Sequence, residues 1–339
     1  MPAEWERHEA TWFTWPHNPE TWNDLAEIES IYLEIISILV RGEKVKILIE
    51  SEEEEEKIHA KFSKRKIKLE QVEFHKIKTC DSWIRDYGPN FVFKQTASGE
   101  MSLAANRWIF NGWGHKYEEH LEDEKASKQI AASLNIPITE PGIVLEGGSI
   151  DSNGAGVILT TEECLLNSNR NPNLSKKEIG FFLKRFLGAK KVIWLGKGIE
   201  GDDTDGHVDD IARFVNCSTI LATVQTDRKD NDFAVLRENL RRLKEAKNLN
   251  GEKFLVVEFP TPKPIDIGGK RLPASYANFY IGNAAVLVPT FDDPNDKTAI
   301  RVIKKFFPGR DVIGIPSKPL VCGLGAIHCL THEEPALPL

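Results

Sequence analysis

Four short segments of this sequence concentrate groups able to move protons, grip cations or attack carbon. They are Cys80-Asp81-Ser82-Trp83-Ile84-Arg85-Asp86, Leu145-Glu146-Gly147-Gly148, Gly201 to Asp210, and Gly323-Leu324-Gly325-Ala326-Ile327-His328-Cys329. In the first, a carboxylate beside tryptophan suits a planar cation, because ring face and charge act together. An Arg85–Asp86 surface pair beside a packed indole is the plainer alternative. Glu146 follows the apolar run Ile143-Val144-Leu145 and precedes two glycines. That pattern fits a proton-transfer group at a strand end, or simply a turn. In the third segment six of ten residues are Asp or His, and His207 and Asp209 share one face of an extended chain. Proton handling, a hard or borderline cation, and a solvated loop all fit it. No second histidine nearby completes a familiar ligand spacing, so metal is the weaker option. In the fourth segment the glycines expose backbone around Cys329, as a nucleophile in a pocket requires; a buried inert thiol is the alternative.

These segments need a scaffold, and the rest of the chain spells one. Apolar residues recur at helical spacing at Leu25, Ile28, Tyr32, Ile35 and Leu39, with Gly42 as a stop. Ser175 and Glu178 form a capping-box pattern ahead of Ile179, Phe182, Leu183 and Phe186, and Gly188 closes that segment. Two more stripes run through Phe233, Leu236, Leu240 and Leu243, and through Ala299, Ile300, Ile303 and Phe307. Between them lie β-rich runs at residues 45–49, 91–93, 157–159, 192–195, 220–224, 254–259, 285–288 and 312–315. Strands alternating with amphipathic helices predict an α/β fold. With no low-complexity linker and no evident repeat, one domain over residues 1–339 is expected.

Composition narrows the function. The 339 residues are 41% hydrophobic and carry a formal net charge of −7. That balance argues against a nucleic-acid or anionic-membrane partner and is compatible with a small cationic substrate. The five cysteines form no CxxC pair, which points away from a disulfide framework or zinc knuckle. Polar residues occupy the amino terminus where a secretory signal would be apolar, and no run has the length of a membrane span. The cytoplasm is the expected compartment.

Taken in order, the motifs resemble the agmatine deiminase family of the guanidine-modifying (pentein) superfamily. The resemblance begins with Met1-Pro2-Ala3-Glu4-Trp5-Glu6 and Trp12 to Asn18. It continues through Trp83-Ile84-Arg85-Asp86, Asn111-Gly112-Trp113-Gly114, Glu146-Gly147-Gly148, Gly206-His207-Val208-Asp209 and Ser275 to Tyr280, and it ends at Gly325 to Cys329. It implies a five-bladed propeller of ββαβ units with pseudo-fivefold symmetry and a central active site. It also implies Cys329 as nucleophile, His207 and Glu146 as proton carriers, and Asp86 and Asp209 as the guanidinium grip. Trp83, Trp113, Asp203 and Asn278 would contact substrate, with Asp203 near the distal amine of agmatine. No metal or organic cofactor is implied, and a homodimer is compatible with the analogy. The chemistry is physically coherent, since two carboxylates can fix a guanidinium plane while a thiolate, favoured by nearby positive charge, attacks its carbon.

This chain departs from the family pattern at Asp205, Asp210 and Arg213, and Thr331-His332-Glu333-Glu334 follows the nucleophile. Arg213 could receive a substrate carboxylate, which keeps deimination of free or peptidyl arginine open as an alternative. A salt bridge to one of the neighbouring aspartates is the plainer role for it. A third possibility is a non-catalytic metal- or ligand-binding module built on the Asp/His cluster.

Overall fold

The alternating pattern resolves into five units of one construction. A computed structural model describes residues 1–95 and 99–338. Each unit has an antiparallel strand pair, a covering helix, and a third strand that returns parallel to the second. The first unit pairs Asn90–Gln95 with Met101–Asn106, crosses through helix Leu121–Ser133 and returns as Ile138–Thr139. The second uses Ile150–Ser152, Val157–Thr161, helix Lys176–Leu187 and Lys191–Leu195. The third uses Ala212–Asn216, Thr219–Val224, helix Asp232–Glu245 and Leu255–Pro260. The fourth uses Tyr280–Ile281, Ala285–Thr290, helix Asp296–Lys304 and Asp311–Pro316. The fifth is assembled from both ends of the chain. His332–Pro335 pairs antiparallel with His8–Thr14, which runs through helix Leu25–Leu39 to the parallel strand Lys44–Ile49, with Val72–Lys76 added at its edge. The repeat that is not evident in the sequence is plain in this strand order.

Four of the five unit helices cover their sheets with the apolar stripe that the sequence predicts. Lys176–Leu187 buries Ile179, Leu183 and Leu187; Ser175 and Glu178 close a reciprocal capping box at its start, and Gly188 ends it at φ 70°. Helix Leu121–Ser133 has no stripe to predict it, because its buried face is mostly Ala126, Ser127, Ile130 and Ala131.

A short turn leads into the first strand of every unit. Ile84–Tyr87, Gly147–Ser149, Val208–Asp210, residues 275–279 and Ile327–Leu330 are these five entries. The first three pack one on the next, and the last packs back on the first. Ser275 Oγ donates to the Asp210 carbonyl at 2.7 Å, and the His328 amide donates to Asn278 Oδ1 at 2.9 Å. The entries therefore close a ring, and every sequence motif singled out for chemistry lies in or beside it. This is the pentein architecture.

Candidate active site

A cavity of about 520 Å³ opens onto the ring. Trp83, Asp86, Trp113, Asp203 and Cys329 line it. Glu146, His207, Asp209 and Asn278 are buried behind them, with His207 meeting Asp86 and Asn278 meeting Cys329. Nine of the ten predicted site residues thus converge.

Asp86 is fixed on both oxygens. Trp113 Nε1 donates to Oδ2 at 2.8 Å and the Gly148 amide donates to Oδ1 at 2.9 Å. Trp113 reaches this position on an unusual backbone, since Gly112, Trp113, Gly114 and His115 all have positive φ, at 62°, 52°, 84° and 64°. For Trp113 and His115 that region costs roughly 1–2 kcal/mol per residue, so the contact is one the fold maintains against a local preference. Trp83 packs against Trp22 with centroids 5.0 Å apart, and a Cβ on Gly325 would meet the Trp83 ring at 2.4 Å. That glycine lets the nucleophile's loop run flat along the indole.

His207 Nδ1 lies 3.6 Å from Asp86 Oδ1, and its buried Nε2 has no hydrogen-bond partner. Asp202 Oδ2 accepts from the amides of Gly206 and His207 and so sets the turn that presents the ring. Burial opposes a charged imidazole, but Asp86, Asp209 and Glu146 outweigh it and raise the His207 pKa. Glu146 is fully buried, and Arg170 Nε donates to its Oε1 at 2.6 Å. Arg170 NH1 also donates to Asp205 Oδ2 at 2.5 Å, joining Glu146 to the loop that carries Asp203. The sequence reading missed Arg170; the polar run Asn167-Ser168-Asn169-Arg170-Asn171 was its only signal. Side-chain donors of Glu146, Cys164 and His207 lie within 4.8 Å of one another, the one potential metal-ligand group among the described residues. With a guanidinium already on Glu146, the trio fits a proton-handling cluster better than a cation site.

Asp209 Oδ2 accepts from His328 Nδ1 at 2.7 Å, while its buried Oδ1 has no partner. Burial works against its ionisation, yet the His328 bond and the His207 charge hold it below the usual carboxylate range. Asp86 differs: burial pushes its carboxyl up despite His207. Burial and the neighbouring Asp209 and Asp202 push Asp210 up strongly. Asn278 Nδ2 donates to Asp210 Oδ1 at 3.1 Å and approaches Cys329 Sγ at 3.2 Å.

Two expectations change. Arg213 does not face the cavity: it is fully buried, with Nε on Asp151 Oδ1 at 3.1 Å, NH2 on Glu4 Oε2 at 2.7 Å and NH1 on the Phe279 carbonyl at 2.8 Å. With four of its five N–H groups engaged inside the fold and none of it lining the cavity, this guanidinium is not placed to receive a substrate carboxylate. Its partners are distant in sequence, so the pairing was not legible from the neighbouring aspartates. The positive charge expected to favour the Cys329 thiolate is also outweighed. Burial first, then Asp209, Asp210 and Asp86, push this thiol well above its ordinary value.

Residues 1–335 match the family described as Porphyromonas-type peptidyl-arginine deiminase. Agmatine deiminase of Medicago truncatula is 38% identical, over 99% of this chain and 96% of its own length. A solved C. jejuni agmatine deiminase with substrate bound is 33% identical, with a TM-score of 0.87 over 99% of this chain and 96% of that one. The Enterococcus faecalis agmatine deiminase is 29% identical, with a TM-score of 0.89 over 99% and 95%. DDAH from Pseudomonas aeruginosa, 11% identical with a TM-score of 0.50 over 96% and 99%, shares the fold. With nearly the whole length matched by one family and its relatives, the chain belongs to the Porphyromonas-type peptidyl-arginine deiminase family.

Proposed function

We propose that this protein is an agmatine deiminase, hydrolysing agmatine to N-carbamoylputrescine and ammonia through a thiouronium on Cys329. The observation that carries this reading is the pairing of two buried carboxylates, Asp86 in the cavity lining and Asp209 in the layer behind it, whose charges both act on the Cys329 thiol. A guanidinium bridging them would have its plane fixed, and its central carbon would be held for the sulfur. The substrate cation would also offset the carboxylate field that keeps the thiol protonated.

Binding of the cation would release the thiol proton to solvent, and attack by the resulting thiolate would form the S–C bond and a neutral tetrahedral adduct. His207, whose surroundings favour the charged ring, would give a proton to the departing nitrogen as the C–N bond breaks. The neutral imidazole would then take a proton from water as its oxygen attacks the thiouronium, and the S–C bond would break to leave a ureido product. Glu146, anchored by Arg170, would keep His207 supplied and oriented. Cys329, His207, Glu146, Asp86 and Asp209 are the proposed catalytic set, with Trp83, Trp113, Asp203 and Asn278 as binding or positioning partners.

The cavity favours a substrate with a second positive charge. Glu20, Asp81, Glu118, Glu119, Asp123 and Asp203 line it against one basic residue, Lys116. Lys116 Nζ is itself bound to the Asp203 carbonyl and, at 2.8 Å, to Asp205 Oδ1. Asp203 Oδ2 accepts from Tyr117 at 2.7 Å, which fixes a carboxylate in the cavity wall. Agmatine offers an ammonium to such a wall, whereas arginine brings a carboxylate. The product would feed putrescine and polyamine synthesis. Ammonia release from agmatine, arginine and an arginyl peptide, measured side by side, tests the assignment. The highest kcat/KM is expected with agmatine; an equal or higher value with either arginine substrate overturns it.

A further inference from the structure

The cavity residues have neighbours that turn the other way, and four of these neighbours meet at one carboxylate from the start of the chain. Glu4 Oε2 accepts from His328 Nε2 at 2.7 Å and from Arg213 NH2 at 2.7 Å, with Arg85 NH2 at 3.7 Å. Glu4 Oε1 accepts from the Ile281 amide at 2.8 Å. Arg85 adjoins Asp86, Arg213 follows Asp209 by four residues, Ile281 follows Asn278 by three, and His328 adjoins Cys329. Glu4 is 6% exposed, so its charge is held inside the ring.

Its shortest route to the substrate position runs through His328. One ring nitrogen faces Glu4 and the other faces Asp209, both at 2.7 Å. An imidazole with each ring nitrogen against a carboxylate oxygen has no freedom to flip or swing. Asp209 is thereby held by Oδ2, which leaves Oδ1 as its one unpartnered oxygen.

We infer that Glu4 is a positioning residue for guanidinium binding, orienting Asp209 through His328 so that the free oxygen meets the substrate. It touches no substrate itself. The inference rests on the deiminase reading but adds the amino-terminal segment to the working parts of the site. The other acidic partners of Arg85 and Arg213 are Glu333 and Asp151, whereas that of His328 is Asp209 itself, so loss of Glu4 reaches the guanidinium grip through His328.

Glu4→Gln preserves length and shape and removes the charge. Asp209 grips the guanidinium in ground and transition states alike, so KM for agmatine should rise about 10-fold while kcat stays within about threefold. Glu4→Asp restores the charge and should recover part of the lost KM, which a purely structural site intolerant of a shorter side chain would not do. Should Glu4→Gln fail to fold, His328→Asn, which keeps a donor for Asp209 and severs Glu4, carries the same expected split. A fall in kcat with KM unchanged, or a Glu4→Asp variant no better than Glu4→Gln, overturns the inference. Calorimetric binding of agmatine in a Cys329→Ser background keeps this test separate from the deiminase reading: the same weakening is expected without turnover, and unweakened binding overturns the role of Glu4. Failure of the unsubstituted enzyme to act on any guanidinium substrate would count against the reading itself.

Discussion

The ring of entry turns and the inward faces of the outer arc of strand–helix–strand elements are held by different forces. In the arc, helix Lys176–Leu187 covers its sheet with Ile179, Leu183 and Leu187, and each of these contributes about 1.5–3 kcal/mol by leaving water. In the ring, Glu146, His207, Asp209 and Arg213 are buried as deeply as those leucines. Their charges are tolerable only because each has a partner, and removing one partner of such a pair typically costs about 3–5 kcal/mol. Two atoms are exceptions, His207 Nε2 and Asp209 Oδ1, both buried and unpartnered. The arc has buried unpartnered atoms too, Tyr32 OH and Ser127 Oγ, but those of His207 and Asp209 belong to ionisable groups around Asp86 and Cys329, where a substrate can act.

Glycine substitutions separate the two regions most sharply. A Cβ on Gly148 would meet His207 Nδ1 at 2.6 Å, Asp86 Oδ1 at 2.9 Å and Asp209 Oδ2 at 3.0 Å. Gly148→Ala should lower kcat/KM for agmatine by about 100-fold or more, since displacements near 1 Å at reacting groups have effects of that size. Activity within tenfold of the parent would mean that the ring is looser than these distances indicate. The next effect is electrostatic. In the free enzyme, alkylation of Cys329, followed by mass spectrometry of its peptide, should titrate above the ordinary thiol value of about 8.5, because burial and three carboxylates disfavour the thiolate. A midpoint below that value would place a dominant cation at the sulfur and reverse the assignment of field in the ring.

In the arc the expected changes are small and leave activity alone. Ser175→Ala removes one half of a capping box and should cost about 1 kcal/mol in a urea melt. Gly180 lies within the same helix with open space around its position, so Gly180→Ala should stabilise by about 0.5–1 kcal/mol. A large activity loss from either would erase the distinction between the regions.

The same division explains what could be read from the sequence. Apolar periodicity marks the arc because water exclusion needs one face of each helix, and the stripes at Leu25–Leu39, Phe233–Leu243 and Ala299–Phe307 all fall on helices or their ends. The opening strands of the units are different. Ile150–Ser152, Ala212–Asn216, Tyr280–Ile281 and His332–Pro335 are too short to show a strand alternation, and they follow directly on the reactive motifs. The chemistry was legible there, but the strands were not. The fifth unit joins residues more than 300 positions apart, a pairing that no local pattern encodes. For the same reason Glu4 was visible only as part of a motif, and the partners of Arg213 were out of reach. The chemistry of Cys329 was readable from its glycine-rich approach, but the carboxylate field around it arises only when the ring closes.

The most direct test is to quench the enzyme with acid during agmatine turnover and weigh the peptide that contains Cys329. A mass gain equal to agmatine less one ammonia on that cysteine is expected, with no adduct and no ammonia release in Cys329→Ser. Steady turnover by Cys329→Ser, or an adduct on another residue, would contradict the account.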